Sequence, residues 1–284
     1  MLNLAVRNIK LYFRDKTSVF FSLLGVFVII GLYIIFLGDQ VEGSVGELPG
    51  ARFLMDSWIM GGVIAVTSIT TTMGAFGQMV EDKVKKNYKD IYASPLKRYK
   101  IAGGYIISSY LIGVIMSLVT FFLAELYIVV SGGKLLPFID ILQSIGIILI
   151  SVLASSSMIF FLVSFFKTNN SFATASTVIG TLMGFLMGIY IPIGSLPNYV
   201  QAFMKGFPLS HSGTLLRQIF MRVPIAETFK GIPIEEVEKF KMELGVVYKV
   251  GDNVITPGLQ IAFLLITAVV FYLLAILSIS RKKR

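Results

Sequence analysis

Few side chains in this sequence could do bond-making chemistry. There is one histidine, His211, and no cysteine, which excludes disulfides, thiolate chemistry and any multi-histidine metal site. General-base catalysis needs a positioned partner, and the sequence offers His211 none, so no catalytic residue and no metal ligand is assigned. Charge is the remaining resource, and it is concentrated in residues 81–100, EDKVKKNYKDIYASPLKRYK, a polar island between two long apolar runs. Ile91, Tyr92, Ala93 and Leu96 stand among its charges. That mixture suits a docking surface, because a short helix offered to a groove is a common recognition mode; a plain positively charged inner loop has the same composition. Residues 88–92 are compatible with a short helix. Proline pushes the residue before it out of helical geometry, so Ser94-Pro95 turns the chain and Leu96, Lys97 and Arg98 lead away. No G-x-x-x-x-G-K-[ST] phosphate loop exists, and Gly132-Gly133-Lys134 is followed by Leu135. Nucleotide-driven work by this chain therefore requires a second protein.

The elements that hold the island are membrane spans. Of 284 residues, 55% are hydrophobic and 14% charged, with mean hydropathy +0.81. Soluble domains carry about 25% charge; here the apolar residues form runs of about 20, the length that crosses hydrocarbon. The fold class is all-α polytopic membrane protein, with six transmembrane helices expected at 17–37, 57–80, 101–130, 140–166, 171–191 and 259–280. The chain divides into 1–16, 17–80, 81–100, 101–191, 192–258 and 259–284. Residues 1–16 place Leu2, Ala5/Val6, Ile9 and Tyr12/Phe13 on one stripe, with Arg7, Lys10 and Arg14 largely off it, which defines an N-terminal amphipathic interfacial helix rather than a signal peptide. Residues 39–56 are an acidic outer loop, and Trp58 is placed as an interface anchor of the second span.

Several polar or small residues inside the spans carry open alternatives. Thr67, Thr70 and Thr71, with Ser68 and Thr72, either line a translocation path or bond back to their own helix carbonyls. Glu125 is a functional candidate, because an unpaired intramembrane carboxylate is costly, or it reaches the outer interface near Gly132-Gly133. Gly180, Gly184 and Gly188 recur every four residues, a spacing that lets helices pack closely in lipid, against another span or a second copy. Residues 196–221 are too apolar for a loop and too broken by Pro197, Gly206 and Pro208 for a span, which suits a re-entrant helix pair. In it His211 is expected to make a turn hydrogen bond, and Arg217 to pair with a carboxylate or sit at the outer interface. The rest of 192–258 is a small soluble α/β segment: a helix over 233–244, then a hairpin around Gly251-Asp252-Asn253.

Charge sets the orientation. Sixteen of the 25 lysines and arginines fall on the side of the termini and the island, and positively charged short loops stay cytoplasmic. Both termini are therefore expected inside the cell (plasma) membrane. The net charge of +9 is explained by orientation and calls for no nucleic acid.

Two stretches resemble one family. Glu81-Asp82-Lys83 followed by DIYASPLKRYKIAGGY looks like the cytoplasmic loop of type-2 ABC exporter permeases. GIYIPIGSLPNYVQAFMKGFPLSHSGTLLRQIF is similar to that family's fifth-span end and re-entrant pair. The resemblance implies a dimer of permeases, with a second copy or a homologous permease, bound to two ABC ATPase subunits that hold ATP and Mg; this chain itself binds no cofactor. It implies a short cytoplasmic coupling helix that contacts the ATPase through Glu81, Asp82, Asp90, Ile91, Tyr92, Ala93, Ser94, Pro95, Leu96, Lys97 and Arg98. Val84-Lys85-Lys86-Asn87 departs from the Arg-Gly-Thr-type residues usual there. The expected function is export of an amphipathic or hydrophobic substrate, a drug (as in multidrug resistance) or an antimicrobial peptide in preference, since glycan exporters of the family tend to have smaller outer segments. The alternatives are a lipid or lipid-linked glycan exporter, a non-transporting sensor or resistance subunit, and a membrane enzyme, for which the spans supply no clustered acids.

Overall fold

A computed structural model describes residues 1–33, 49–86, 89 and 98–281. Its helices are α1 (Leu2–Arg14), α2 (Lys16–Leu32), α3 (Ala51–Val84), α4 (Arg98–Val130), α5 (Phe138–Val163), α6 (Asn169–Leu186), α7 (Asn198–Gly206), α8 (Ser210–Phe220), α9 (Arg222–Thr228), α10 (Ile234–Glu243) and α11 (Pro257–Arg281). A 3₁₀ turn, Ile193–Ser195, precedes α7, and two short strands, β1 (Lys249–Val250) and β2 (Asn253–Val254), pair antiparallel before α11.

Four helices are long and apolar enough to cross a membrane: Ala51–Val84, Lys100–Val130, Phe138–Val163 and Pro257–Leu277. Val19–Gly31 is apolar but shorter. The chain is thus a multi-pass, all-α membrane protein.

The bundle is built around α3. It packs against α4, α5, α6 and α8, and also touches α2 and α9. Its 34 residues rise about 51 Å at about 1.5 Å each, against a hydrocarbon core of about 30 Å, so the helix extends well past it. Leu54, Met60, Val63, Ile64, Ile69, Phe76 and Val80 are fully buried along it. Its hydroxyls bond back: Thr67 to Val63 O at 2.8 Å, Ser68 to Ala65 O at 2.7 Å, Thr70 to Val66 O at 3.2 Å, Thr71 to Thr67 O at 2.7 Å, and Thr72 to Ser68 O. Thr67, Thr70 and Thr71 thus make the back-bonds that were one of the two uses open to them.

Several element boundaries differ from expectation. The outer loop ends by residue 50; Asp56 lies in the second turn of α3, buried, and accepts a hydrogen bond from the Tyr127 hydroxyl at 3.3 Å. Trp58 is not at a lipid interface but buried in protein. α6 stops at Leu186 rather than 191. Gly188, at φ +62°, closes it with Ile189 N donating to Gly184 O at 3.0 Å and Gly188 N to Phe185 O at 2.9 Å, a turn that only glycine enters without strain.

Within the chain, the three glycines do not share one helix-packing face. Gly188 is off the helix, a Cβ on Gly184 would meet the Tyr190 ring at 2.2 Å, and Gly180 has nothing within 4 Å.

Candidate functional site

Two polar junctions tie the bundle together, one at each end of α3. The first lies at its C-terminal end, where the island begins. The α1 residue Arg7 donates from Nη1 to Asp82 Oδ2 at 2.8 Å and from Nη2 to Oδ1 at 2.9 Å. The Tyr105 hydroxyl of α4 donates to Asp82 Oδ2 at 2.6 Å, and Gln78 Nε2 to Oδ1 at 3.2 Å. Asn8, buried beside Arg7, accepts from its Nη1 at 3.0 Å and donates to Ser108 Oγ at 3.3 Å. Asp82 is 0% exposed, and the hydrogen bonds to it hold the Arg7 guanidinium more firmly protonated than usual. A planar guanidinium fork on a carboxylate fixes direction as well as distance, so α1 is keyed to α3 at one register.

This corrects the role expected of Asp82. It faces inward as an anchor and is not a surface contact. Glu81, its neighbour, is half-buried and pairs with Lys85 one turn on. Asp90, Ile91, Tyr92, Ala93, Ser94, Pro95, Leu96 and Lys97 lie outside the described residues, as does the Arg98 side chain, whose backbone opens α4.

The packing of α1 also differs from expectation. Leu4, Ala5, Asn8 and Tyr12 form the buried face, while Leu2, Val6 and Phe13 of the expected stripe are exposed, Leu2 by 67%. At helical spacing the exposed apolar residues and the basic Lys10 and Arg14 take the two remaining sectors. α1 rests on α4 at Gly103-Gly104, where Cβ atoms would fall 2.8 Å from Met1 Sδ and 2.9 Å from Leu4 Cδ2. The glycine pair in KIAGGY was the sequence signal for that close approach, and Asn8, four residues from both Leu4 and Tyr12, was masked by its polarity.

The second junction is at the other end of α3. Arg217 of α8 is 2% exposed. Its Nε donates to Trp58 O at 3.2 Å, its Nη2 to Gly188 O at 3.1 Å, and its guanidinium carbon lies 4.8 Å from the centre of the Trp58 ring. Among the described residues it makes no ion pair. In place of the expected carboxylate, carbonyl dipoles and an aromatic face surround Arg217, and the side chain is buried in protein. Trp58 Nε1 donates to Leu244 O at 2.7 Å, which ties in the segment after α10. Gly61 and Gly62 give Arg217 its room on α3, since a Cβ on Gly62 would lie 2.7 Å from Nη2.

Pro208 sits in the turn between α7 and α8. His211 makes the expected turn hydrogen bond, Nε2 with Lys205 O at 2.9 Å, and packs edge-on against Tyr248 and Phe263. Glu125 does not reach the surface: its Oε2 accepts from Leu136 N at 3.1 Å inside the protein, bracing the turn before α5. No group of three or more histidines and acids able to hold a metal occurs among the described residues.

A helical membrane bundle without a nucleotide loop, keyed where the charged segment 81–100 begins, fits a transport subunit. A family model described as ABC-2 family transporter protein matches residues 51–277, and the chain belongs to that family: it is the permease component of an ABC transporter. No curated protein matches the chain.

Proposed function

We propose that this permease exports an amphipathic or hydrophobic cargo, a drug or antimicrobial peptide in preference, and that residues 81–100 are where a separate ATPase drives it. The supporting observation is the Arg7–Asp82 fork. It fixes the helix from which the island emerges to both α1 and, through Tyr105, α4, the helix into which the island returns. A push on the island thus acts on three elements together rather than bending one. In this reading six spans put both termini in the cytoplasm: α2 and α6 complete the four long apolar helices, and α7 with α8 re-enters from outside. The exposed Leu2, Val6 and Phe13 of α1 meet the inner leaflet beside Lys10 and Arg14, the arrangement of an interfacial helix on anionic lipid. Two copies of the chain, or one copy and a homologous permease, bind two ATPase subunits that carry ATP and Mg. The spans contain few charges, which favours apolar cargo over free ions.

The test is co-purification with candidate ABC ATPases, followed by uptake of a lipophilic dye or a cationic peptide into inverted vesicles. Tyr92→Ala and Pro95→Ala are expected to lower both complex recovery and ATP-dependent uptake. Full complex formation and full coupled uptake with both changes would contradict the coupling role.

A further inference from the structure

Arg217 adds a polar tie at the end of α6, beside the buried Met187 and Ile189 that pack there against Gly213 of α8 and Gly62 of α3. α6 is anchored on α3, yet Val178, Leu182 and Phe185 are about half exposed, and Met183 and Gly184 are its buried residues. Just past its last turn, the Gly188 carbonyl accepts from Arg217 Nη2 at 3.1 Å. The C-terminal end of a helix carries partial negative charge, so α6 presents its electrostatically favourable end to a buried cation. The other attachments of that cation, the Trp58 carbonyl and ring, belong to α3. A buried charge is ordinarily paired or functional, and among the described residues Arg217 has no carboxylate partner. The Gly188 carbonyl supplies one part of its compensation and Trp58 the other.

We infer that Arg217 is a latch: a positioning residue whose bond to Gly188 O pins the C-terminal end of α6 to α3 and α8, and whose release lets that end swing away during the transport cycle. Three local features fit a contact made to break. The bond is to one carbonyl rather than to a bidentate acid. Gly188 ends the helix at a φ of +62°, open to glycine and strained for other residues, so rotation of the chain there carries no Cβ. Arg217 keeps the Trp58 partners when the Gly188 bond is lost, so opening does not strand the charge. The inference rests on the permease reading for its purpose, but the latch itself belongs to this chain alone.

The chain has no cysteine, so spin labels can be placed at Leu182→Cys on α6 and Leu142→Cys on α5, both exposed positions. Electron–electron distance distributions are then recorded for the full chain in nanodiscs. Hydrogen bonds to charged groups contribute about 1.5–3 kcal/mol, and each 1.4 kcal/mol is tenfold. Arg217→Gln is therefore expected to lower the ratio of latched to released distances about tenfold or more, seen as a second, displaced population. Arg217→Lys, which keeps the charge but not the fork, is expected to give a smaller shift. A folded Arg217→Gln or Arg217→Lys chain with the wild-type distribution would overturn the latch. If neither variant folds, the wild type decides: one narrow, unchanging distance with and without trapped ATP in the assembled transporter overturns it, and a second population supports it. A variant-induced shift without any ATP-induced shift supports the latch and counts against the proposed coupling to an ATPase.

Discussion

Arg7 and Asp82 stand 75 positions apart, and the two Nη atoms of one meet the two carboxylate oxygens of the other at 2.8 and 2.9 Å. The contact closes the N-terminal helix onto the last turn of the central helix, where the charged island begins. Arg7→Ala leaves a fully buried carboxylate with only Tyr105 and Gln78 as donors. It is expected to destabilise the chain by about 2–3 kcal/mol, the worth of hydrogen bonds to a charged group. Arg7→Lys keeps the charge but not the fork and should lose less. Thermal unfolding in detergent, followed by the emission of the single tryptophan, measures both.

The glycines of this chain are predicted to separate sharply. Gly62→Ala sets a methyl 2.7 Å from Arg217 Nη2 and 2.8 Å from Ile189 Cγ1, an overpacking expected to cost about 1–3 kcal/mol. Gly180→Ala meets nothing within 4 Å and is expected to fall within about 0.5 kcal/mol of wild type. Unfolding midpoints of the two variants, compared side by side, make the check.

Thr67→Val and Thr71→Val remove hydroxyls that bond to their own helix. ATP-dependent uptake is predicted to stay within about twofold of wild type for both, given that such back-bonding slightly destabilises helices. A selective loss of one cargo over another in either variant would instead place these hydroxyls on the path.

Trp58→Phe deletes the bond from Nε1 to Leu244 O and weakens the aromatic support under Arg217. The expected cost is about 1–2 kcal/mol. Hydrogen exchange should accelerate in residues 234–255, with α4 and α5 unaffected.

The architecture was largely legible because burial in lipid writes long apolar runs into the sequence. The helices of the second, third, fourth and sixth expected spans follow those runs within a few residues, apart from the second, which starts six residues early at Ala51. The helix and hairpin of the soluble segment followed from Pro233, Gly245 and Gly251. Side-chain partners were less legible. Asp82 looked like a surface acid because its partner lies 75 residues away. Trp58 looked like an interface anchor because position along a span does not reveal which side faces protein. Gly188 completed a four-residue spacing yet ends the helix, since periodicity is blind to a glycine adopting positive φ. Arg217 was expected to find a carboxylate, and found carbonyls and a ring, because backbone dipoles leave no trace in residue identity.

The most direct test of the account is a cross-link from the island to its motor. Ala93→Cys, introduced into this cysteine-free chain, is joined to a co-purified ABC ATPase with a cleavable thiol–amine reagent, and ATP-dependent uptake is measured before and after cleavage. The account predicts a covalent adduct with the ATPase and loss of uptake that returns when the linker is cut. An assembled, actively transporting complex in which Ala93→Cys forms no adduct with the ATPase would contradict it.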